Sequence, residues 1–324
     1  MATAAPAVRL DGVHKSFASG AGPRVAVRDL DFVVPTGSIC GFLGPNGAGK
    51  TTTLRMITGM LRPDAGALEV LGHRDPTLCR ERLAYLPEEK GLYRRMGVLE
   101  FLVFFGRLRG LTRAEATRRA GRWLERLDLT DVAGERCETL SKGMGQKVQL
   151  AGALLHEPEL VILDEPFSGL DPVNVDAVRA IIVELRRAGR TVILSTHVME
   201  QAERLCDHVV LLDHGRRVLA GTVAEVRGAA EPTLRLDYEG DGAVLHDLPG
   251  VLHVNDAGVH AELSLAADAD RDALLACLVE RLRIRRLEFA EASLHEVFVR
   301  SVGADRHAGG DPHRQTGPAT SAAP

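Results

Sequence analysis

The sequence predicts an α/β fold with an inserted helical subdomain and a small α+β domain towards the carboxyl end. The first observation is a short apolar run, residues 38–43, which is followed by a glycine-rich loop and then by residues with helical spacing. The second is a pair of apolar runs, residues 160–163 and 191–194, which read as buried strands that stop at polar residues. The third is a change to helical periodicity between residues 92 and 129, which interrupts the strand pattern.

Length and composition limit the classes of protein that fit. A chain of 324 residues with 45% hydrophobic content is expected to form two domains with a substantial core. Its net charge of −4 argues against nucleic acid as the main partner. The five cysteines show no C-x-x-C spacing, so neither a disulfide framework nor a zinc site is indicated, and a reducing cytoplasm fits best. No uninterrupted apolar stretch approaches about 18 residues, so we expect neither a membrane span nor export of the chain.

The glycine-rich loop, residues 44–52, reads G-P-N-G-A-G-K-T-T. Two glycines four residues apart, followed by Lys and Thr, match the loop that holds nucleotide phosphates between a strand and a helix. Glycines let backbone N–H groups turn towards an anion, and the helix N-terminus adds its positive dipole end. Lys50 brings a point charge to the terminal phosphates, and Thr51 offers a hydroxyl ligand for Mg²⁺. We call residues 44–52 the phosphate loop.

Two strands, residues 8–17 and 25–34, are predicted before the phosphate loop. Phe17 closes the first strand, where an aromatic ring either stacks on a purine or packs in the core. After the loop, the helix over residues 51–60 is followed by a turn at 63–66 and by strands at 67–71 and 83–86. The last of these strands runs into a polar loop at Glu88. The basic residues of the helical segment 92–129 are interpreted as a solvated face.

The segment Leu140 to Gln149 reads L-S-K-G-M-G-Q-K-V-Q and leads into a helical run, residues 150–156. Ser141 is a good helix N-cap, so an ordinary helix start accounts for it. A helix N-terminus with a hydroxyl and a flexible glycine can also hold a γ-phosphate, which leaves a second anion site as the alternative. We call residues 140–144 the signature segment.

A strand over residues 160–163 ends in the two carboxylates Asp164 and Glu165. Ligands of open α/β sheets bind at the carboxyl ends of the strands, so both acids are candidates for chemistry. Asp164 can hold Mg²⁺, directly or through water, and Glu165 can polarise an attacking water. A turn at residues 168–172 precedes a helix over 173–188. The next strand, residues 191–195, is followed by His197, which the pattern places at the same sheet edge as Asp164.

Together these stretches, across residues 8–228, resemble the ATP-binding subunits of ABC transporters. The resemblance rests on the order of the phosphate loop, the signature segment, the acidic strand 160–165, the turn 168–171 and His197. It implies a P-loop NTPase fold of ABC type that works as a head-to-tail dimer closing over two ATP molecules. The signature segment of one subunit then faces the γ-phosphate held by the other, and a separate membrane permease is driven by closure and hydrolysis.

The resemblance also assigns roles to individual residues. Glu165 is implied to be the general base, His197 to contact the γ-phosphate, Asp171 to lie across the dimer interface and Phe17 to stack on adenine. The metal ligands are implied to be Thr51, Glu88 and Asp164. The nucleotide-binding set is implied to be Phe17, Gly44, Pro45, Asn46, Gly47, Ala48, Gly49, Lys50, Thr51, Thr52, Glu88, Ser141, Gly143 and Asp171.

Two positions depart from the family pattern. The usual signature is L-S-G-G-Q, whereas Lys142 and Met144 stand here for the first glycine and the glutamine. Ser141 and Gly143, which carry the phosphate contacts, remain. Glu88 stands where the family usually has Gln, a residue that binds Mg²⁺ and water and senses the membrane subunit. Glu88 can ligate Mg²⁺, and its charge is expected to alter metal affinity or coupling.

These variants look most like the ATPases of type-2 exporters, including sodium-efflux-like systems. That subgroup carries a C-terminal domain, and here residues 229–302 read as strands at 233–238, 259–265 and 285–290 with helices at 269–283 and 293–302. Residues 303–324 are expected to be disordered, because they contain almost no large apolar residues. We therefore expect domains at 1–228 and 229–302, with the helical subdomain at about 92–152.

The leading hypothesis is an ATPase subunit, using ATP and Mg²⁺, at the cytoplasmic face of the membrane with a permease and a second ATP-binding subunit as partners. A soluble ABC ATPase acting on ribosomes or DNA is the alternative, although such proteins usually carry two nucleotide domains or a long coiled-coil insertion. A third possibility is an ATP-gated module with little turnover, which Glu88 and the altered signature favour and Glu165 and His197 oppose.

Overall fold

The computed structural model describes residues 5–308 apart from 19, 21, 90, 229–231, 267 and 291, and of residues 302–308 it describes only the backbone. Among these residues, the strands are β1 Val8–Phe17, β2 Arg24–Val34, β3 Ile39–Leu43, β4 Ala65–Val70, β5 Leu83–Leu86, β6 Leu160–Asp164, β7 Thr191–Thr196, β8 His208–Asp213, β9 Arg216–Thr222, β10 Thr233–Glu239, β11 Val251–Asp256, β12 His260–Leu265 and β13 Arg283–Ala290. The α-helices are α1 Lys50–Ile57, α2 Val98–Leu108, α3 Arg113–Arg126, α4 Lys142–Leu154, α5 Pro172–Arg187, α6 Met199–Leu205, α7 Val223–Gly228, α8 Arg271–Arg281 and α9 Leu294–Ala308.

The central sheet has six strands in the order β5-β6-β7-β3-β8-β9. The strands from β5 to β8 are parallel, and β9 joins the edge antiparallel to β8. Strands β3, β6 and β7 are buried along their whole length, as expected for parallel strands covered on both faces. Their carboxyl ends lie side by side, because Leu43 pairs with Thr196 and Asp164 with Ser195.

A second sheet has three antiparallel strands in the order β2-β1-β4. Its apolar side chains form a core with α1 and one face of the central sheet, to which Leu30, Phe42 and Leu54 contribute fully buried side chains. Helix α1 therefore lies between the two sheets. This packing holds the first turn of α1 against the end of β3, where the phosphate loop lies.

The helical insert between β5 and β6 consists of α2, α3 and α4, which pack on one another. Thr112 caps α3 and Ser141 caps α4, each accepting a backbone N–H three residues further on. Helices α2 and α3 occupy the segment in which the sequence predicts helical structure. Helix α4 begins at Lys142, inside the signature segment, and so extends further towards the N-terminus than the predicted run 150–156.

The C-terminal part forms a four-stranded antiparallel sheet in the order β11-β12-β10-β13, with α8 packed on it. Its own core includes the fully buried Leu234, Leu263 and Leu278. Helix α9 then returns and packs on α6, α7 and β9, with Leu294 and Val297 buried in the main core. Among the described residues, no helix has the length and apolar character needed to cross a membrane.

Several differences from the sequence predictions have physical reasons. Residues 303–324 are expected from the sequence to be disordered, whereas the backbone of 303–308 is described as a continuation of α9, and residues 309–324 lie outside the described part. Strands β8 and β9 and helix α6 were not predicted. Helix α6 has only seven residues, and β9 is only partly buried, so neither produces a strong periodic signal. Strand β11 was also missed, since none of its residues is buried.

Candidate functional site

The phosphate loop connects the buried end of β3 to the first turn of α1. Gly49 is the N-cap of α1 with φ of 99°, in the left-handed region that glycine adopts without strain. A Cβ at Gly49 would lie 2.5 Å from the carbonyl oxygen of Ala26, and one at Gly44 would lie 2.1 Å from that of Leu212. Glycine is thus required because β2 and β8 approach the loop closely. The first turn of α1 then presents N–H groups that have no intrahelical acceptor.

Lys50 is the only lysine of the phosphate loop, and its side chain is directed back along the loop. Its Nζ donates to the carbonyl oxygens of Gly44, at 2.7 Å, and Pro45, at 3.3 Å. The same Nζ lies 3.5 Å from Oε1 of Glu165, and both side chains are less than 10% exposed. A buried positive charge is thereby fixed between the phosphate loop and the acidic end of β6, where it can neutralise a phosphate.

Asp164, which is 1% exposed, accepts hydrogen bonds from hydroxyl groups on three different elements. Ser195 Oγ on β7 donates to Oδ1 at 2.5 Å, and Thr51 Oγ1 on α1 donates to the same oxygen at 3.2 Å. Tyr85 on β5 donates from its hydroxyl to Oδ2 at 3.3 Å. Burial and the charge of Asp164 raise the pKa of Tyr85 to about 12, so this phenol keeps its proton at neutral pH. The carboxylate is consequently held in one orientation.

Glu165 follows Asp164 in a left-handed backbone conformation, with φ of 49°, which is uncommon for a residue other than glycine. Its N–H donates to two oxygens of Ser195, Oγ at 2.9 Å and the carbonyl oxygen at 3.2 Å. Its Oε2 lies 3.1 Å from Nδ1 of His197, which is half exposed. Among the described residues its buried Oε1 has no hydrogen-bond partner, although the Nζ of Lys50 lies 3.5 Å away as an ion pair. Glu165 thus has one oxygen beside His197 and a second that can still accept a hydrogen bond, the arrangement that a general base needs.

A pocket of 580 Å³ opens at the phosphate loop. Phe17, 40% exposed, forms part of its rim, and the exposed Glu88 lies on its wall. Sequence-predicted residues make up most of the lining, which also includes Ala18, Arg24, Val25 and Ala26. The predicted residues that line it are Phe17, Pro45, Asn46, Gly47, Ala48, Gly49, Lys50, Thr51, Thr52, Glu88 and Glu165. Gly44, Asp164 and His197 lie next to this set through the contacts described above.

Ser141, Gly143 and Asp171 form a second group that does not line this pocket. Asp171 caps α5 by accepting the N–H of Asn174 at 3.0 Å, and this bond holds the pKa of its carboxyl below the usual range. The side chain of Asn174 lies against Gly143, where a Cβ would be 2.5 Å from Nδ2. Ser141 and Asp171 are exposed. Within one chain, the signature segment and the turn before α5 therefore make a separate surface that is free to face another molecule.

Three residues at the site were not predicted from the sequence. Ser195 and Tyr85 orient Asp164 through contacts that depend on the neighbouring positions of β5, β6 and β7. The sequence signal for Ser195 is its place at the end of a predicted buried strand beside the acidic strand. Gln146 is 5% exposed and donates from Nε2 to the carbonyl oxygen of Pro166 at 3.1 Å, which ties α4 to the residue after Glu165. No local pattern singles out Gln146.

The donor set fits MgATP. The hydroxyl of Thr51 beside the carboxylate of Asp164 provides hard oxygen ligands, and Mg²⁺ commonly takes one or two carboxylates together with substrate phosphates. The buried Oε1 of Glu165, which has no hydrogen-bond partner in the described part of the chain, lies 3.5 Å from the Nζ of Lys50. The pocket combines an aromatic rim, a glycine loop and a buried lysine, which suit a base, a phosphate chain and a terminal phosphate.

Two family models match the chain. The model described as ABC transporter matches residues 27–168, which include the phosphate loop, the signature segment and the acidic strand. The model described as ATP-binding protein DrrA1-3-like, C-terminal domain, matches residues 221–302. The second match covers the four-stranded sheet and most of α9.

Relatives and a solved structure agree with these matches. An uncharacterized ABC transporter ATP-binding protein, YhaQ, of Bacillus subtilis is 38% identical over 91% of this chain and 98% of its own length. The daunorubicin resistance ATP-binding protein DrrA3 of Streptomyces coeruleorubidus is 35% identical over 93% of this chain and 97% of its own length. A dimeric ATP-binding cassette in a post-hydrolysis state with ADP and Pi matches with a TM-score of 0.63 and 22% identity, covering 67% of this chain and 98% of that one.

Proposed function

The chain belongs to the ATP-binding subunits of ABC transporters, which are ATPases, and from this premise we propose that it hydrolyses MgATP to power an exporter through a separate membrane permease. The observation that carries the proposal is the meeting of Lys50, Thr51, Asp164 and Glu165 at one sheet edge. Export is supported by the C-terminal match and by the drug-resistance role in the name of DrrA3. Subunits of this kind work at the membrane although they carry no span, so we place this chain at its cytoplasmic face.

The proposed roles follow from the geometry. Thr51 and Asp164 would hold Mg²⁺, with Glu88 on the pocket wall as a further oxygen ligand, and the ion supplies charge neutralisation for the phosphates. Lys50 binds the terminal phosphates. Glu165 takes a proton from the attacking water through Oε1, which has no hydrogen-bond partner among the described residues, while His197 orients the opposite carboxylate oxygen. The water itself is excluded from bulk solvent only when the pocket is covered.

A second copy, or a similar subunit, would provide that cover. Ser141 and Asp171 are exposed outside the pocket of their own chain, with the buried Gly143 beside them, which suits a head-to-tail dimer in which this surface faces the partner's nucleotide. The solved cassette structure of similar fold is also a dimer. Lys142 lies against the turn before α5, since a Cβ at Gly169 would be 1.6 Å from its Nζ. The signature segment and this turn would therefore move as one unit.

We place the permease contact on the helical insert. A groove of 950 Å³ there is lined by apolar side chains of α2, among them Phe104 and the 64% exposed Leu108. Tyr93, which follows the loop containing Glu88, lies 5.8 Å from the ring of Phe104 between ring centroids. In the sequence, Tyr93 comes soon after Glu88 of the pocket wall. Exposed apolar side chains grouped in a groove are typical of a surface that another protein covers.

The ATPase roles are tested by measuring phosphate release from the purified chain. Glu165→Gln is expected to keep ATP binding and to lose turnover by about 10²-fold or more, because the base is removed while the pocket remains. Lys50→Ala is expected to lose nucleotide binding. Glu159→Gln is the matched control, since Glu159 precedes the opposite end of β6 and pairs with Arg82 at the surface. Normal turnover in Glu165→Gln would contradict the assigned chemistry.

The transporter role is tested by purifying a tagged chain from detergent-solubilised membranes and identifying what accompanies it. A polytopic membrane protein is expected to co-purify with the tagged chain. The Leu108→Glu variant should no longer co-purify with that protein but should still hydrolyse ATP. Val279→Glu is the control, because Val279 on α8 is similarly exposed, at 68%, but does not line the groove. Ribosomal or DNA-repair proteins in place of a permease would support the alternative raised by the sequence, for which the reported relatives provide no support.

A further inference from the structure

Arg24 is a positively charged residue of the pocket that neither the phosphate-loop pattern nor the family resemblance points to. It begins β2 and pairs across the sheet with Phe17, the aromatic residue of the rim. Its guanidinium lies over the outer turn of the phosphate loop, because a Cβ at Gly47 would be 3.8 Å from Nη2 of Arg24. Arg24 is therefore located between the aromatic rim and the phosphate loop.

The guanidinium of Arg24 is available to a ligand. Across the part of the chain that the structure describes, its side chain makes no hydrogen bond or ion pair, and it is exposed. Two described lysines near the pocket are already engaged, Lys50 by loop carbonyls and Glu165, and Lys15 by Asp64 at 2.6 Å. A guanidinium presents a planar fork of donors that matches two oxygens of a phosphate.

The position along the pocket indicates which phosphates are in reach. Lys50, Thr51 and Glu165 mark the end where the terminal phosphate and the metal belong. Phe17 marks the opposite end, where the base belongs under the proposed function. Since Arg24 lies beside Phe17 and over Gly47, it is close to the part of the nucleotide that joins the base to the terminal phosphate.

We propose that Arg24 binds the phosphates nearest the ribose, α and β, and so contributes equally to the binding of ATP and ADP. This inference rests on the proposed function, because it needs a nucleotide in the pocket. A contact made equally in the ground state and the transition state lowers the KM without changing kcat. Arg24 is then a binding residue that holds the nucleotide through a turnover and plays no part in the cleavage of the terminal phosphate.

The test is a comparison of Arg24→Ala, Arg24→Lys and the wild type by titration with ATP, ADP and adenosine, with adenosine measured by competition. Arg24→Ala is expected to raise the Kd of ATP and of ADP by the same factor, about 10-fold, and to leave that of adenosine unchanged. For Arg24→Lys, the Kd of ATP and of ADP should lie between those of the wild type and of Arg24→Ala, because an ammonium keeps the charge but not the planar fork of donors. The KM for ATP should rise with kcat changed less than about twofold.

The matched control is Arg28→Ala, which removes an exposed arginine from the same strand outside the pocket lining. Its nucleotide affinities should equal those of the wild type. The proposal is overturned if Arg24→Ala binds ATP and ADP normally, if only ATP binding is weakened, or if adenosine is weakened to the same extent. If the wild type binds no nucleotide at all, the proposed function fails first. An unchanged Tm of Arg24→Ala shows that the loss is local.

Discussion

Replacing Ser195 with Ala is expected to impair magnesium-dependent hydrolysis while leaving the fold intact. Ser195 is fully buried, and its Oγ donates to Asp164 at 2.5 Å while accepting the N–H of Glu165 at 2.9 Å. A single hydroxyl therefore orients both neighbouring acids. A hydrogen bond to a charged group contributes about 1.5–3 kcal/mol. If this free energy is lost in the transition state, the rate falls roughly 10- to 100-fold.

The assay is the steady-state release of phosphate by the purified chain at a series of Mg²⁺ concentrations. Ser195→Ala should need more Mg²⁺ for half-maximal activity, because Asp164 retains only Thr51 and Tyr85 as donors. Ser38→Ala is the control, since Ser38 is a buried serine before the other end of β3 whose Oγ donates to a carbonyl oxygen at 2.7 Å. Ser38→Ala should lose about 1 kcal/mol of unfolding free energy, and Ser195→Ala about 1.5–3 kcal/mol, because its lost bond is to a charged group. An unchanged Mg²⁺ dependence in Ser195→Ala would refute the reasoning.

Three further predictions concern stability. Gly44→Ala should lower the free energy of unfolding by at least about 2 kcal/mol, because φ is 147° and the new Cβ would lie 2.1 Å from the carbonyl oxygen of Leu212. An unchanged midpoint in a urea titration would contradict this. Burial lowers the pKa of His156 from 6.5 to about 4, so the unfolded chain binds this proton more readily than the folded chain. The free energy of unfolding should therefore fall by about 2 kcal/mol as the pH drops from about 6.5 to 4. His156→Gln should lose less stability over this pH range, and an equal loss would exclude this histidine as the cause. Leu294→Ala removes a fully buried side chain of α9 and should lower the free energy of unfolding by about 2–5 kcal/mol, seen as faster amide hydrogen exchange in α9 and α6. Val299→Ala, at an exposed position of α9, should leave the exchange rates unchanged. Equal exchange in both variants would show that α9 is not held by Leu294.

The sequence predicted best those parts of the site that are local. The phosphate loop is contiguous, and Asp164 and Glu165 follow an apolar run directly, so their position at a strand end could be inferred without knowledge of the fold. The parallel sheet then brings them to Thr51 and Lys50, as the structure has it. The α/β fold with an ABC-type ATPase domain is confirmed, as is membership of the transporter family. The roles of the individual site residues remain predictions.

Residues that act through contacts between strands could not be inferred. Tyr85 reaches Asp164 only because β5 lies next to β6, and Ser195 only because β7 lies on the other side. Arg24 lies opposite Phe17 in a ladder with irregular register, which an alternating pattern does not reveal. The position of α9 could not be inferred either, because the apolar pattern of a helix does not show which surface it packs on.

The strand order has a consequence for folding during synthesis on the ribosome. Strand β3 ends at Leu43, yet both of its neighbours in the sheet, β7 and β8, begin at or after Thr191. At translation rates of about 5–20 residues per second, the ribosome needs roughly 7–30 s to supply them. During that interval a wholly apolar strand has two open edges, which is the form of chain that aggregates or engages a chaperone. A chain truncated before β7 would keep the complete phosphate loop and still be unable to bury the strand that carries it.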